Sequence, residues 1–352
     1  MANPSPASLI KSRQPFRAAL HAWYRVHQRP LPWRDAPSLY KTVVSEFMLQ
    51  QTQVTTVLPY FARWLDALPD FAALAAAPET QVMKLWEGLG YYSRARNLHK
   101  LAQAVVAMPA PPRTPTAWRE LPGIGPYTAA AITSISFGEP VACVDGNVVR
   151  ILARLTGEGR QFRDGSEAAK HFTPLADTLA DGPDAGTHNQ AMMELGATVC
   201  LRQNPQCLIC PVAKFCAARA GGEPEKFPRL KPKQIEQRTV SRVWCEHDGR
   251  LLLRRGHAKA KRLAGLHELP EPTDLGLDTP VEKSLLARKR RAITRYQITE
   301  LIYAVKFSAP LKKRIATNAS LEWVSLIDLD RVTLSGPHRR WIGELVKENG
   351  NF

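Results

Sequence analysis

Seventeen residues, CLRQNPQCLICPVAKFC from Cys200 to Cys216, hold four of the six cysteines of a 352-residue chain. Their spacing is C-x6-C-x2-C-x5-C. Four thiols this close in sequence constrain the fold more than any other feature, because they converge only if short loops wrap around a central ion or cluster. Disulfides are disfavoured inside a cell, so clustered cysteines there point to metal. Structural zinc sites usually join two C-x2-C knuckles. One C-x2-C with uneven gaps on either side suits the four thiolates of a cubane iron–sulfur cluster, with zinc as the alternative.

The rest of the composition places this cluster in an ordinary globular chain. Hydrophobic residues make up 44% and charged residues 23%, and the length allows two domains, each with a buried core. No apolar run approaches the ~20 residues that cross a bilayer. The first twenty residues lack the apolar stretch of a signal peptide. An intracellular protein with no membrane span is expected. The formal net charge of +16 favours a polyanionic partner, for which nucleic acid is the usual one, with a merely soluble basic protein as the alternative.

Apolar residues recur at helical spacing over 15–27, 40–50, 54–66, 79–88, 92–107, 116–121, 126–137 and 147–156. A stretch rich in Pro, Gly and Lys (GGEPEKFPRLKPKQIEQR) follows the cysteines and reads as a basic linker over 222–237. Beyond it the period becomes two. TVSRVWCEHDGRLLLRR carries a hairpin signal at Asp248-Gly249, and YQITELIYAVKF alternates. The expected organisation is a helical domain over 8–221, with the cysteine loop at 195–221, and an α+β domain with an antiparallel sheet over 238–352.

Three strings carry chemistry. In LPGIGPYTAAAI, Gly123 and Gly125 allow a turn whose amides face outward, and Pro126 starts a helix. Amides at a helix start hold a phosphate without side-chain charge. In VACVDGNVVRIL, Asp145 stands at a helix start, where an ordinary N-cap is the competing role. In TVVSEFMLQQTQV, Glu46 lies on a largely apolar segment. Burial there raises a carboxyl pKa toward that of a proton donor at neutral pH; a half-exposed glutamate at a helix edge is the alternative. Paired carboxyls are the usual equipment for breaking a glycosidic bond. Cys143 and Cys245 lie outside the cluster and read as buried small side chains.

These strings, together with GLGYYSRARNLHK and NQAMMELGATVC, resemble the helix-hairpin-helix DNA glycosylases, the group that includes endonuclease III. Within it they are similar to the adenine DNA glycosylase branch over most of 15–230. The resemblance implies a mainly α helix-hairpin-helix glycosylase domain with an iron–sulfur loop, followed by a Nudix-like α+β domain. One [4Fe-4S] cluster per chain would be held by Cys200, Cys207, Cys210 and Cys216. It would order a basic loop whose Arg202 and Lys214 touch DNA phosphates, beside the hairpin glycines Gly123 and Gly125. The implied reaction is hydrolysis of adenine from double-stranded DNA where it is mispaired with 8-oxoguanine or guanine. A monomer associated with the bacterial nucleoid in the cytoplasm is expected.

Residue by residue, the resemblance makes Glu46 the acid on adenine N7 and Asp145 the residue that faces the anomeric carbon, stabilising the sugar cation electrostatically or as a transient nucleophile. Asn147 would orient them and Tyr127 would pack against Asp145. Trp33, Arg34, Leu49 and Gln190 would line the adenine pocket, while Gln51 and Tyr91 would enter the duplex during base extrusion. Strand-cleaving members carry a lysine where this chain has Tyr127, so release of the base without efficient strand cleavage is expected. Where most relatives read the lesion with Phe-Ser-His, this chain has Arg295, Tyr296 and Gln297. No G-x5-E-x7-R-E-x2-E-E string occurs in 238–352, so the second domain should recognise rather than hydrolyse. Two other classes fit parts of the pattern: a DNA-bound redox or scaffold protein, and a glycosylase for thymine or uracil mismatches.

Overall fold

The structure is a computed structural model that describes residues 5–232, 234–257, 264–278 and 284–349. It contains a long helical region followed by an α+β region. Residues group into two compact units. One comprises Met1–Phe61, Pro69–Ala75 and Lys100–Pro232; the other comprises Ala62–Leu68, Ala76–His99 and Lys233–Phe352. No helix of the described residues is long and apolar enough to cross a membrane.

Helix boundaries follow local chemistry closely. The helix Leu39–Leu49 starts where the Ser38 hydroxyl accepts from Lys41 N at 3.2 Å. The helix Pro126–Phe137 starts with proline at its first position and ends on Gly138, in the left-handed region at φ 74°. The helix Gly146–Thr156 is capped by Asp145 and stops at Gly157, φ 64°. Helical periodicity had missed Gly165–Ala180 and Ala185–Thr198. The second of these is buried on nearly every side, including Ala191, Met192, Glu194 and Leu195, so it shows no polar stripe to set against an apolar one.

In the first unit Phe16, Leu20, Leu152 and Leu195 are fully buried in one core. Cys200, Cys210, Cys216 and Phe227 pack against its edge. The stretch read as a linker begins in contact with this unit. Arg229–Leu230 pairs in parallel with Gln161–Phe162, and Asn204 N donates to Glu225 Oε1 at 2.8 Å.

In the second unit the hairpin forms at Asp248 (φ 49°) and Gly249 (φ 66°), the two left-handed residues that a tight hairpin turn needs. The expectation of a purely antiparallel sheet does not hold. Strand Glu236–Trp244 pairs in parallel with Tyr296–Ala304 over nine residue pairs, and only the other flank of that strand, Leu285–Ile293, is antiparallel. Period-two alternation marks a half-buried strand but carries no information on the direction of its partner. A separate antiparallel sheet joins Arg250–Arg255 to His267–Glu268 and Leu321–Ser325. Cys143 and Cys245 are buried, as expected.

Candidate active site

A cavity of about 560 Å³ opens in the first unit between the helices Leu39–Leu49, Pro126–Phe137, Gly146–Thr156 and Ala185–Thr198. Glu46, Tyr127, Asp145, Asn147, Gln190, Trp33, Arg34 and Leu49 all line it. The sequence places these residues up to 157 positions apart, from Trp33 to Gln190, and the fold brings all eight to one wall or another of a single cleft.

Glu46 lies in the buried middle of its helix at 7% exposure. Burial pushes its carboxyl up to about 7. Tyr127 pulls the other way through a hydrogen bond, and the charge of Asp145 raises it further. The Tyr127 hydroxyl also reaches Met193 Sδ at 3.0 Å. One O–H donates well to only one acceptor, and a carboxylate is stronger than a thioether. The Tyr127 hydroxyl is within reach of both the Glu46 carboxyl and Met193 Sδ. The elevated pKa read from the apolar setting is what the structure has.

Asp145 serves two roles at once. Its Oδ1 accepts from Val148 N at 2.8 Å, capping the helix, and its Oδ2 accepts from Asn147 Nδ2 at 2.9 Å. Burial raises its pKa, while the Val148 and Asn147 hydrogen bonds and the Arg150 charge hold back part of the rise. Asn147 is fixed in turn, since its Oδ1 accepts from Arg150 at 2.8 Å. Arg150 also donates to the Gly196 carbonyl at 2.9 Å and the Cys200 carbonyl at 2.8 Å. Gly196 has to be glycine here, because a Cβ would sit 2.5 Å from Asn147 Cβ. The cysteine loop is thus tied to the capping carboxylate through two side chains.

Glu194, Arg29, Tyr24 and Arg150 at this site escaped sequence reasoning. Glu194, with its side chain fully buried, binds Arg29 (Nε–Oε1 2.7 Å) and Arg34 (2.9 Å). Burial alone would raise its pKa, but the two guanidiniums outweigh that and hold it below the ordinary carboxylate value. Arg34 is thereby pinned at the cavity, above the Tyr24 ring, and Tyr24 donates to Gln190 Oε1 at 3.2 Å. Arg150 was likewise unmarked. A buried Glu in NQAMMELGATVC facing the two arginines of the segment from Arg29 to Arg34 was the available signal, but only tertiary contact reveals the pairing.

If Glu46 gives up a proton and Asp145 works ionised, kcat/KM has two limbs. Activity is expected to fall about tenfold per unit above pH ~7, following Glu46. The acid limb follows Asp145 and lies above its ordinary 3.8. Base release from a duplex under limiting enzyme, measured from pH 5 to 9, checks both. A profile flat through pH 8 contradicts a Glu46 proton donor.

The remaining expected residues lie outside the cavity. Pro122 and Gly123 (φ 78°) occupy the centre of a turn closed by Ile124 N to Leu121 O, and Gly125 caps the next helix with open space around its α-carbon. Gln51 (φ 58°) and Tyr91 (φ 47°) are both exposed and both left-handed. Non-glycine residues in that region cost about 1–3 kcal/mol and gather where function requires them. Arg202 and Lys214 are exposed on the cysteine loop. Buried Arg154 donates to the Leu201 and Arg202 carbonyls at 2.7 and 3.0 Å and to Cys200 Sγ at 3.2 Å. In the second unit the Tyr296 ring lies under Arg238 at 3.8 Å, and Arg295 pairs with Glu236 at 2.8 Å. Gln297 Oε1 accepts from Gln237 at 2.6 Å. Tyr296 and Gln297 are neighbours in one strand, so they face opposite sides of the sheet and cannot both grip one base.

The four cysteines come together without a disulfide. Burial pushes the Cys210 thiol up to about 12, and Cys200, Cys216 and Cys207 each add to the rise, so all four lie within electrostatic reach. Among the described residues no group of three or more His, Cys, Asp or Glu side chains is placed to hold a metal ion. Four thiols within reach of one another are the donor set that a cubane cluster takes, and the residues fit it.

Residues 44–175 match the HhH-GPD superfamily base excision DNA repair protein family. The chain is similar to the adenine DNA glycosylase of Homo sapiens, with 44% identity over 223 residues, covering 60% of this chain and 41% of that one. It is similar to the adenine DNA glycosylase of Arabidopsis thaliana at 36% identity over 344 residues, covering 85% of this chain and 52% of that one. It thus spans about half the length of the curated relatives it matches. Among solved structures, a thermostable thymine-DNA glycosylase is similar at 27% identity and a TM-score of 0.54, covering 60% of this chain and 98% of that one. The helical cleft, the hairpin turn and these likenesses agree on an HhH-GPD helical glycosylase fold in this chain.

Proposed function

We propose that the protein is an adenine DNA glycosylase acting on adenine opposite 8-oxoguanine or guanine in double-stranded DNA. The observation that carries the reading is the pairing, in one cleft, of a buried Glu46 with pKa about 7 and an Asp145 whose two oxygens are held by hydrogen bonds. Glu46 gives its proton to adenine N7. The C1′–N9 bond then breaks, with its electron pair leaving on the now neutral base. Asp145 stabilises the sugar cation electrostatically until water adds to C1′ and returns a proton to the carboxylates. Arg34 and Gln190 border the adenine, Gln51 and Tyr91 hold the strand open, and Gly123, Gly125, Arg202 and Lys214 contact phosphates.

Residues 8–221 form the catalytic domain in this reading and 238–352 a Nudix-like recognition domain, joined through 222–237. The protein works as a monomer in the bacterial cytoplasm. Cys200, Cys207, Cys210 and Cys216 hold one [4Fe-4S] cluster, whose contribution is to order the loop between them. The lesion is read around Tyr296, between Arg238 and Arg295, while Gln297 is engaged on the opposite face. The experiment that tests the whole is single-turnover base release from duplexes with adenine opposite each partner.

Tyr127 in place of a lysine leaves the cleft without an amine for a Schiff base. Borohydride added during turnover is expected to trap no covalent enzyme–DNA species. Trapping that scales with turnover contradicts release of the base by hydrolysis alone.

A further inference from the structure

Tyr91 sits in a strained loop with an unusual foundation. Gly88 (φ 103°), Gly90 (φ 71°) and Tyr91 (φ 47°) are all left-handed. The loop is gripped from beneath by buried Arg94, which donates to the Leu89 and Gly90 carbonyls at 3.0 and 3.1 Å, and by Trp86 Nε1, which donates to Gly90 O at 3.1 Å. The Arg94 guanidinium lies over both the Trp86 and Tyr91 rings. The Tyr91 side chain is left 47% exposed.

The residue before the loop, Glu87, is 10% exposed and is held by a distant part of the same unit. Arg339 Nε donates to Glu87 Oε1 at 2.9 Å and Nη2 to Oε2 at 3.2 Å, a two-pronged grip. Leu334 N donates to Oε1 at 2.7 Å. Lys84 Nζ binds Glu87 at 2.6 Å and the Val332 carbonyl at 3.1 Å. One step past the loop, the Tyr92 hydroxyl donates to the Leu334 carbonyl at 3.0 Å and accepts from Gly88 N at 3.3 Å. Gly336 Cα faces Gly88, where an added Cβ would meet Gly88 Cα at 3.7 Å. Both ends of the loop are thus fastened to Val332–Arg339.

We infer that Glu87 and Arg339 are positioning residues through which the segment Val332–Arg339 sets the loop that presents Tyr91 to DNA. The inference rests on the proposed role of Tyr91 in holding the strand open. A strained loop keeps one conformation only while its surroundings over-determine it. Removing Arg339 takes away two of those restraints. Lys84 and Leu334 N stay on Glu87, so the carboxylate is not left bare.

The test uses full-length protein with its cluster and a duplex bearing 2-aminopurine in place of the target adenine, opposite 8-oxoguanine. Stopped-flow fluorescence reads extrusion of the base. Arg339→Ala is expected to slow extrusion about tenfold, the scale of coupling through a packed network, and Arg339→Lys to restore part of it. In a Tyr91→Ala background, Arg339→Ala should add no further slowing, because its effect passes through Tyr91. Extrusion unchanged in Arg339→Ala while Tyr91→Ala slows it overturns the inference and leaves the role of Tyr91 intact. Slowing that adds to that of Tyr91→Ala shows a general structural role and overturns it as well. If Tyr91→Ala itself leaves extrusion unchanged, the reading of Tyr91 falls, and this inference with it.

Discussion

Glu46→Gln is expected to abolish base release and, at the same time, make the protein more stable above neutral pH. A positioned general acid contributes about 10²–10⁴ in rate, and an amide cannot supply the proton, so single-turnover release should fall by about 10³ or more. Binding to a duplex carrying an abasic site should change only a few-fold. The stability effect has the opposite sign. Glu46 moves from an ordinary 4.5 to about 7 on folding because burial disfavours its charge. Below pH ~4.5 the carboxyl is protonated in both states, and glutamine gains nothing. As pH rises toward 7 the unfolded chain loses its proton first, and the wild type loses stability until the folded group has also ionised. The full difference, about 2.5 units or roughly 3 kcal/mol, is present above pH 7. Thermal melts of both proteins at pH 5 and pH 8 measure it, with the gap widening at pH 8. A variant less stable than wild type at pH 8 means Glu46 is a structural hydrogen-bonding residue, and activity within about tenfold of wild type removes it from the chemistry.

Asp145→Asn separates capping from catalysis. Asparagine caps a helix about as well as aspartate, so Val148 N keeps its acceptor and stability should change by no more than about 1 kcal/mol. The charge is gone, and with it the stabilisation of a sugar cation, for which a loss of about 10²–10³ or more is expected. Asn147 then faces an amide where a carboxylate oxygen stood, 2.9 Å away. It can regain that bond only by turning its amide and giving up the acceptor that Arg150 holds at 2.8 Å. Asp145→Ala should lose the cap as well, adding about 1 kcal/mol of instability. Circular-dichroism melts and single-turnover release decide. If Asp145→Asn loses activity only in proportion to unfolded protein, Asp145 is a cap and nothing more.

Where the sequence was legible, the signal was local. The proline at position 126, the glycines at 138 and 157 and the cap at Asp145 set helix ends, and Asp248-Gly249 set the hairpin. Glu46 was legible because its apolar neighbours on one helix announced burial. What stayed hidden depends on partners far along the chain. Glu194 meets Arg29 and Arg34 across 160 residues or more. Strand Glu236–Trp244 finds its parallel partner sixty residues on. Helix Ala185–Thr198 is buried on nearly every side and carries no stripe. The opposite orientation of Tyr296 and Gln297, by contrast, was available from strand alternation alone.

The reaction proposed for this cleft is the release of adenine. The measurement that reaches it most directly is single-turnover base release from otherwise identical duplexes with adenine opposite 8-oxoguanine, guanine, cytosine or thymine, and with thymine or uracil opposite guanine. Free adenine is expected from the 8-oxoguanine and guanine pairs, fastest opposite 8-oxoguanine, with the strand left intact. Release of thymine or uracil with no release of adenine, or no base release from any duplex, contradicts it.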